Sequence, residues 1–428
     1  MDDRISARKE AVTRAAVRQG LVNEERLLAG FLDVEGIRQT ITALKDAFTP
    51  DFTHTFASKA NCLHAVLALI RDQGMGCEVA SAGELHQAVA AGFPADQIVF
   101  DSPAKTKAEI RFALERGIAL NIDNFQEFER VRAELEERPS ASVVGFRINP
   151  QVGVGTIAAM STATRTSKFG VALDDFRDRL LDAYKRHPWL TCIHTHVGSQ
   201  GCPFELVALG VGKVAAFAEE INAAAGRRQV QVIDIGGGLP VNFESEDVRP
   251  TFAEYADNLR GGVPLLFSGR YRIVTEFGRS ILAKNGFMVA GVEYTKTTGD
   301  RNIAITHAGA QTATRTVFMP DMWVLRISAL DSSGRAKESE KAFQDVAGPC
   351  CFAGDVIAHN RLLPLLEPGD FVVVHDTGAY YFSTPFSYNS LPKIAVYGFH
   401  VRENGDVSFE VFREQETLEQ IVESTSAP

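Results

Sequence analysis

Between residues 52 and 277 the chain alternates short apolar runs with stretches of helical period. Residues 53–57, 77–80, 97–100, 119–122, 142–148, 190–196, 229–235 and 271–275 predict strands. Residues 63–72, 83–91, 107–116 and 125–136 carry apolar positions at helical spacing and predict helices between them. Strands that alternate with helices imply parallel pairing through crossovers, and eight such units in about 225 residues match a closed (β/α)8 TIM barrel. An open doubly wound sheet is the alternative. After Arg279 the pattern changes. Residues 287–292, 302–305, 322–327, 371–375 and 394–401 read as strands with few long helices between them, which predicts a separate β-rich domain. Residues 28–34 precede the first barrel unit and are assigned to the same domain. The expected division is a barrel over 35–277, with 1–34 and 278–428 forming the β-rich part. The last dozen residues are polar and are expected to fray.

Composition narrows the class. The 428 residues are too many for one ordinary core, and 45% hydrophobic with 23% charged content is globular. A net charge of −10 and the lack of a basic stripe speak against a nucleic-acid partner. The opening residues Met1 to Ser6 carry mixed charge and no apolar segment, so no signal peptide is expected. No run approaches the ~18 apolar residues that span a bilayer. The six cysteines, at 62, 77, 192, 202, 350 and 351, lack the CxxC spacing of a zinc site. Reduced thiols in a cytoplasmic enzyme without a metal are the simplest account.

Active sites of such barrels stand at the carboxyl ends of the strands. The first predicted strand ends at Ser58-Lys59-Ala60-Asn61 and the sixth at His194-Thr195-His196-Val197-Gly198-Ser199-Gln200. The seventh ends at Asp234-Ile235-Gly236-Gly237-Gly238 and the eighth at Glu276-Phe277-Gly278-Arg279. Each feature alone has an ordinary explanation: a solvated lysine, a core histidine, a tight turn. Their common rim is the stronger signal. Three successive glycines let backbone N–H groups approach an anion such as a phosphate, and Arg279 adds a charge-assisted clamp. A phosphate-bearing cofactor beside an imine-forming lysine points to pyridoxal 5'-phosphate (PLP).

These residues bring a family into view. The chain resembles the fold-type III PLP-dependent decarboxylases, the group of diaminopimelate, ornithine and arginine decarboxylases that shares its fold with alanine racemase. The resemblance is nearest to the diaminopimelate branch and runs from about residue 30 to residue 400. It is carried by Phe56-Ala57-Ser58-Lys59-Ala60-Asn61, Ser81-Ala82-Gly83-Glu84-Leu85, Ser167-Lys168-Phe169-Gly170, His196-Val197-Gly198-Ser199-Gln200, Asp234-Ile235-Gly236-Gly237-Gly238, Glu276-Phe277-Gly278-Arg279, Gly348-Pro349-Cys350-Cys351 with Asp355, and Gly378-Ala379-Tyr380. Phe277 departs from the proline usual in the family. The resemblance implies that Lys59 holds the cofactor, His196 stacks on its ring, and Ser199, Gly236, Gly237, Gly238, Gly278, Arg279 and Tyr380 surround its phosphate. It implies Glu276 at the pyridine nitrogen, with Glu78 and Arg147 lining the pocket. Cys351 would serve as an acid in the neighbouring subunit's site, which makes a homodimer. A carboxylate at the ring nitrogen favours the protonated, electron-accepting ring by about 1.4 kcal/mol per pKa unit. The racemase branch places an arginine there, so Glu276 speaks for decarboxylation.

The substrate motif departs from the relatives. Diaminopimelate decarboxylases carry Glu after the catalytic cysteine and ornithine decarboxylases carry Asp, each to recognise a distal ammonium. This chain has Phe352. Removing an ammonium from water without a carboxylate partner costs several kcal/mol, and a cation–π contact returns only ~0.5–2 kcal/mol. Arg315 aligns with the arginine that grips a distal carboxylate, while its usual tyrosine helper appears as Met319. The expected small-molecule substrate therefore has a distal carboxylate or an apolar group, held by Arg315, Met319, Phe352 and Tyr380. A PLP racemase, a diaminopimelate decarboxylase of relaxed specificity and a catalytically silent binding protein remain as alternatives.

Overall fold

The structure is a computed structural model that describes residues 3–426. The chain forms two compact units. One comprises Thr40–Pro240 with Pro250–Ser280, and the other Met1–Gln39, Val241–Arg249 and Ile281–Pro428. The nine residues Val241–Arg249, inside the expected barrel, thus belong with the β-rich unit.

The first unit is a closed barrel. Its strands are Phe52–Ala57, Gly76–Val79, Ile98–Asp101, Ala119–Ile122, Val144–Asn149, Leu190–His194, Val232–Asp234 and Arg272–Phe277, all parallel. The last pairs with the first, which closes the ring. Helices Lys107–Arg116 and Phe252–Gly262 begin with reciprocal capping boxes, Thr106 with Glu109 and Thr251 with Glu254. Along the strands every second side chain faces the helices: Phe56, Phe100, Phe146, Ile193, Ile233 and Ile273 are fully buried there. The alternate positions point into the barrel: Val99, Cys192, Val232 and Val274 form an apolar layer, and Thr55, Glu78, Asp101, Asn121, Arg147, His194, Asp234 and Glu276 supply the polar side chains. Bulky aliphatic side chains normally fill such an interior, so the composition of this one already marks a site.

The second unit is built on an antiparallel-rich sheet. Leu28–Asp33 pairs parallel with Ala395–Val401 and antiparallel with the long strand Gly286–Thr298. Arg301–Thr306, Lys341–Ala347 and Val356–Pro364 extend the sheet, and Phe371–Val374 pairs with both Gly286–Thr298 and Ile327–Leu330. Phe31, Phe287, Val289, Val373 and Ala395 form its core. Two expectations are corrected here. Residues 322–326 lie outside any strand, because the strand begins at Ile327 after the helix Ala310–Phe318. The C-terminal tail forms a capped helix, Leu418–Thr425, where fraying was expected, since Thr417 and Gln420 build a capping box. Among the described residues no helix is long and apolar enough to cross a membrane.

Candidate active site

Lys59 sits on a single 3-10 turn, Ser58–Ala60, directly after the first barrel strand. Its side chain is 45% exposed, and Nζ lies 2.7 Å from Oε2 of buried Glu78 on the next strand. Burial pushes the Glu78 carboxyl up to about 8, against the pull of Lys59, and Glu276 and Asp101 add repulsion. A partly exposed lysine at a strand end beside an acid is placed to react with a carbonyl.

The glycine turn after the seventh strand is shaped by close approach. A Cβ at Gly237 would stand 2.3 Å from the carbonyl oxygen of Glu276, and one at Gly238 2.6 Å from that of Gly198. Gly236 and Gly238 also have φ of +66° and +126°, open to glycine at little cost. Of the N–H groups expected to approach an anion, two are already engaged. Gly236 N donates to Asp234 Oδ1 at 3.0 Å, and Gly237 N to His196 Nδ1 at 3.1 Å. The N–H groups of Gly238 and Leu239 donate to nothing among the described residues, so they are the donors open to an anion. Because His196 Nδ1 accepts, its ring is neutral; burial, Arg147 and Lys59 hold it down to about 3. A neutral flat ring suits stacking.

Glu276 is 5% exposed, and its Oε1 has no hydrogen-bond partner. Burial opposes its charge, but His194 and then Lys59 outweigh burial and hold the carboxyl well below the usual range. Asp234 beside it is pushed well above the usual range by burial and by Glu276, so the pair carries one proton, on Asp234. Arg147 donates to Asp101 Oδ2 at 2.5 Å, and its guanidinium lies 4.4 Å from the centre of the Phe169 ring. Gly278 lets the last strand pass Ala57 and Ala60, whose Cβ atoms would lie within 3.0 Å of an added methyl. Arg279 opens a short helix and is buried, and Ser199 follows the His196 turn half-buried.

Lys59, Glu78, Arg147, His196, the glycine turn and Glu276 therefore gather on the carboxyl side of one barrel. Cys351, Arg315, Met319, Phe352 and Tyr380 lie in the β-rich unit. Cys351 is exposed, and its N–H donates to Asn389 Oδ1 at 2.6 Å. Its loop is pinned by Asp355, which accepts from Cys350 N and Ala310 N, both at 2.6 Å. Phe352 stacks on Phe318 at 5.4 Å and meets the edge of Tyr388. The Arg315 guanidinium lies 4.3 Å over the Tyr380 ring and 5.4 Å over Trp323. Buried Arg315 Nη1 has no hydrogen-bond partner, and no acid pairs with Arg315 among the described residues. Met319 is partly exposed one turn along the same helix end.

Sequence reasoning missed Asp101, and it named His194 and Asp234 at strand ends without giving them a role. The missed signal was period two: His194 precedes His196 by two residues on the inward face, as Asp234 precedes Gly236.

The barrel residues fit a cofactor that has an aldehyde, a pyridine nitrogen and a phosphate: an accessible amine, an unpartnered buried carboxylate oxygen and a glycine turn with open N–H groups. Comparison with known proteins agrees. Residues 34–283 match the family described as pyridoxal-dependent decarboxylase, pyridoxal binding domain. The diaminopimelate decarboxylase of Pseudomonas fluorescens is 32% identical over 370 residues, 85% of this chain and 84% of that protein. That of Aquifex aeolicus is 29% identical over 390 residues, 90% and 89% of the two chains. The solved diaminopimelate decarboxylase from Helicobacter pylori complexed with L-lysine superposes with a TM-score of 0.84 at 27% identity, over 95% of this chain and 98% of that one. With the barrel, the lysine and the anion turn in place, the chain belongs to the pyridoxal-dependent decarboxylases, fold-type III carboxy-lyases that act on amino acids with PLP as cofactor.

Proposed function

We propose that this decarboxylase removes the α-carboxyl group from an amino acid, or a conjugate of one, whose side chain ends in a carboxylate or an apolar group and not in an amine. The reading is carried by one observation: Arg315 offers an unpaired buried Nη1 while the position after Cys351 is an aromatic wall. A buried guanidinium edge without an acid costs free energy unless a ligand supplies the anion. A structural salt bridge, the ordinary reason for such an arginine, is absent among the described residues. A distal ammonium would meet Phe352, Phe318 and Tyr388 in place of a carboxylate.

PLP, when bound, supplies an electron sink for the charge left at Cα. Lys59 would give the amine that attaches it. Glu276, ionised, would hold a proton on the ring nitrogen, and neutral His196 would pack on the ring. The N–H of Gly238 in the Gly236–Gly237–Gly238 turn, with Ser199, Gly278, Arg279 and Tyr380, would receive the phosphate. Arg147 and Glu78 line the pocket, and Glu78 holds the Lys59 amine until it is needed. Cys351 Sγ returns a proton to Cα in a partner copy's site, an acid step on the order of 10²–10⁴-fold in rate. Its exposed, pinned loop supports that service across a homodimer. Glu276 in place of a cation argues against racemisation, because a deprotonated ring is the poorer sink for the carbanion.

The test is CO2 release over D- and L-amino acids with acidic, apolar and basic side chains, including meso-diaminopimelate. Acidic or apolar substrates should lead in kcat/KM. Comparable turnover of meso-diaminopimelate or lysine would show instead a diaminopimelate decarboxylase of broad specificity, and inversion at Cα without CO2 would show a racemase.

A further inference from the structure

His194 is fully buried inside the barrel, one strand step from the reacting rim. Its Nδ1 lies 3.9 Å from Asp101 Oδ1 and its Nε2 3.6 Å from Glu276 Oε2. Neither ring nitrogen has a hydrogen-bond partner. Both nitrogens face oxygens of groups that can only accept when ionised, so a neutral ring would aim a lone pair at a carboxylate. Arg147 holds the other oxygen of Asp101 at 2.5 Å. The result is a row across the barrel, Arg147–Asp101–His194–Glu276, in which cations and carboxylates alternate. Asp234 pairs with His194 in the strand register and adds no charge while protonated. Glu78 and Lys59 form their own pair beyond it, and His196 is neutral.

We propose that His194 is a positioning residue: held doubly protonated between Asp101 and Glu276, it keeps Glu276 ionised, and so sets the protonation of the cofactor's ring nitrogen from the side away from the substrate. The proposal rests on the reading above that Glu276 faces that nitrogen. Lys59, the other nearby cation acting on Glu276, would be engaged by the cofactor when it is bound, whereas His194 stays fixed beside Glu276 from within the barrel. The same three side chains could be mistaken for a cation site, since their ligand atoms lie within 4.8 Å of one another. The guanidinium on Asp101 disfavours a divalent ion there, whereas a proton on His194 leaves the row neutral.

The experiment uses the holoenzyme. His194→Gln keeps one donor and loses the charge; His194→Leu loses both. In each, nitrogen NMR of cofactor labelled at the ring nitrogen should move toward the neutral ring. The acid limb of kcat should move up by about one to three pH units, because Glu276 loses a cation within 4 Å. Glutamine should rescue folding but not the limb. Glu276→Gln is the reference. If it leaves the nitrogen signal unmoved, Glu276 does not face the ring and the underlying reading fails. If it moves the signal while both His194 variants leave signal and limb at wild-type positions, the reading stands and this proposal is overturned. Should the His194 variants fail to fold, Asp101→Asn decides, since loss of the charge that holds the His194 proton must shift the same signal in the same direction.

Discussion

The contact between Gly237 and Glu276 sets up a sharp perturbation. Gly237→Ala places a Cβ 2.3 Å from the Glu276 carbonyl oxygen and 3.1 Å from its carbon. Both are backbone atoms of neighbouring strand ends, so no side chain can swing aside. To reach the 3.4 Å of ordinary contact, the turn and the eighth strand must part by about 1 Å. The hydrogen bond from Glu276 N to Gly236 O, 2.9 Å long, stretches with them. Overpacking of this kind costs about 1–3 kcal/mol, of which the stiffer unfolded chain returns about 0.4–1 kcal/mol. The functional effect should be larger than the loss of stability. Displacing Glu276 by about 1 Å from the ring nitrogen should lower turnover on the order of a hundredfold. Urea unfolding, cofactor titration and CO2 release measure the three quantities on one sample. Gly261→Ala is the control, because its Cβ meets nothing within 4 Å at the end of a helix. A Gly237→Ala enzyme within twofold of wild type in both cofactor affinity and turnover would refute the claim that this turn fixes Glu276.

Three further outcomes follow from the geometry. His54 is buried among Phe48 and Phe52, and burial, aided by Lys45, brings it down from 6.5 to about 4. The unfolded chain therefore binds its proton first, so the stability His54 contributes is full above 6.5 and is lost as pH falls toward 4, up to about 3 kcal/mol; urea unfolding around pH 7 and pH 4.5 should show that window and His54→Gln should flatten it. Asp355→Ala leaves two buried N–H groups, those of Cys350 and Ala310, without acceptors and should cost about 2–4 kcal/mol, read by thermal unfolding, with a loss of turnover as the Cys351 loop loosens. Phe352→Glu supplies the missing partner for a distal ammonium, so kcat/KM for meso-diaminopimelate should rise at least tenfold while that for acidic substrates falls; an unchanged ratio would place specificity elsewhere.

How much of this was legible in the sequence depends on what each signal competes with. The barrel strands predicted at 53–57, 97–100 and 119–122 were readable because outward apolar positions such as Phe56, Phe100 and Leu120 alternate with inward ones and helices with clear caps separate them. The β-rich unit was harder. The strand Lys341–Ala347 carries exposed charged and polar positions and lacks an apolar face, so its pairing partners, not its propensity, define it, whereas Val407–Arg413 alternates Val407, Phe409 and Val411 and was readable but missed. The segment Val241–Arg249 has no pattern at all. It belongs to the second unit because Glu246 pairs with Lys9 and with Arg326, contacts between residues 80 to 237 positions apart. Lys59, His196, Glu276 and the glycines stood out at strand ends. Asp101 and His194 did not, since a polar residue inside a strand reads as an interruption until the strand is known to close on itself.

That closure explains why one barrel can gather four buried acids, Glu78, Asp101, Asp234 and Glu276. In an open sheet each would face a helix and be expelled at a cost of several kcal/mol. Inside a closed ring each inward position meets those of the neighbouring strands, so each acid can find a partner row by row: Glu78 accepts from Lys59, Asp101 pairs with Arg147, and Asp234 carries a proton beside Glu276. Glu78, Asp101 and Glu276 each keep one oxygen without a hydrogen-bond partner, and of the three Glu276 stands at the end of the eighth strand beside the glycine turn. A barrel selected for stability alone would fill that interior with Val, Ile and Leu, and replacing such ion pairs by apolar groups is often stabilising. The polar rim therefore points to a bound group with a basic nitrogen, and Glu276, held ionised with one oxygen open at a strand end, is the acid placed to meet it.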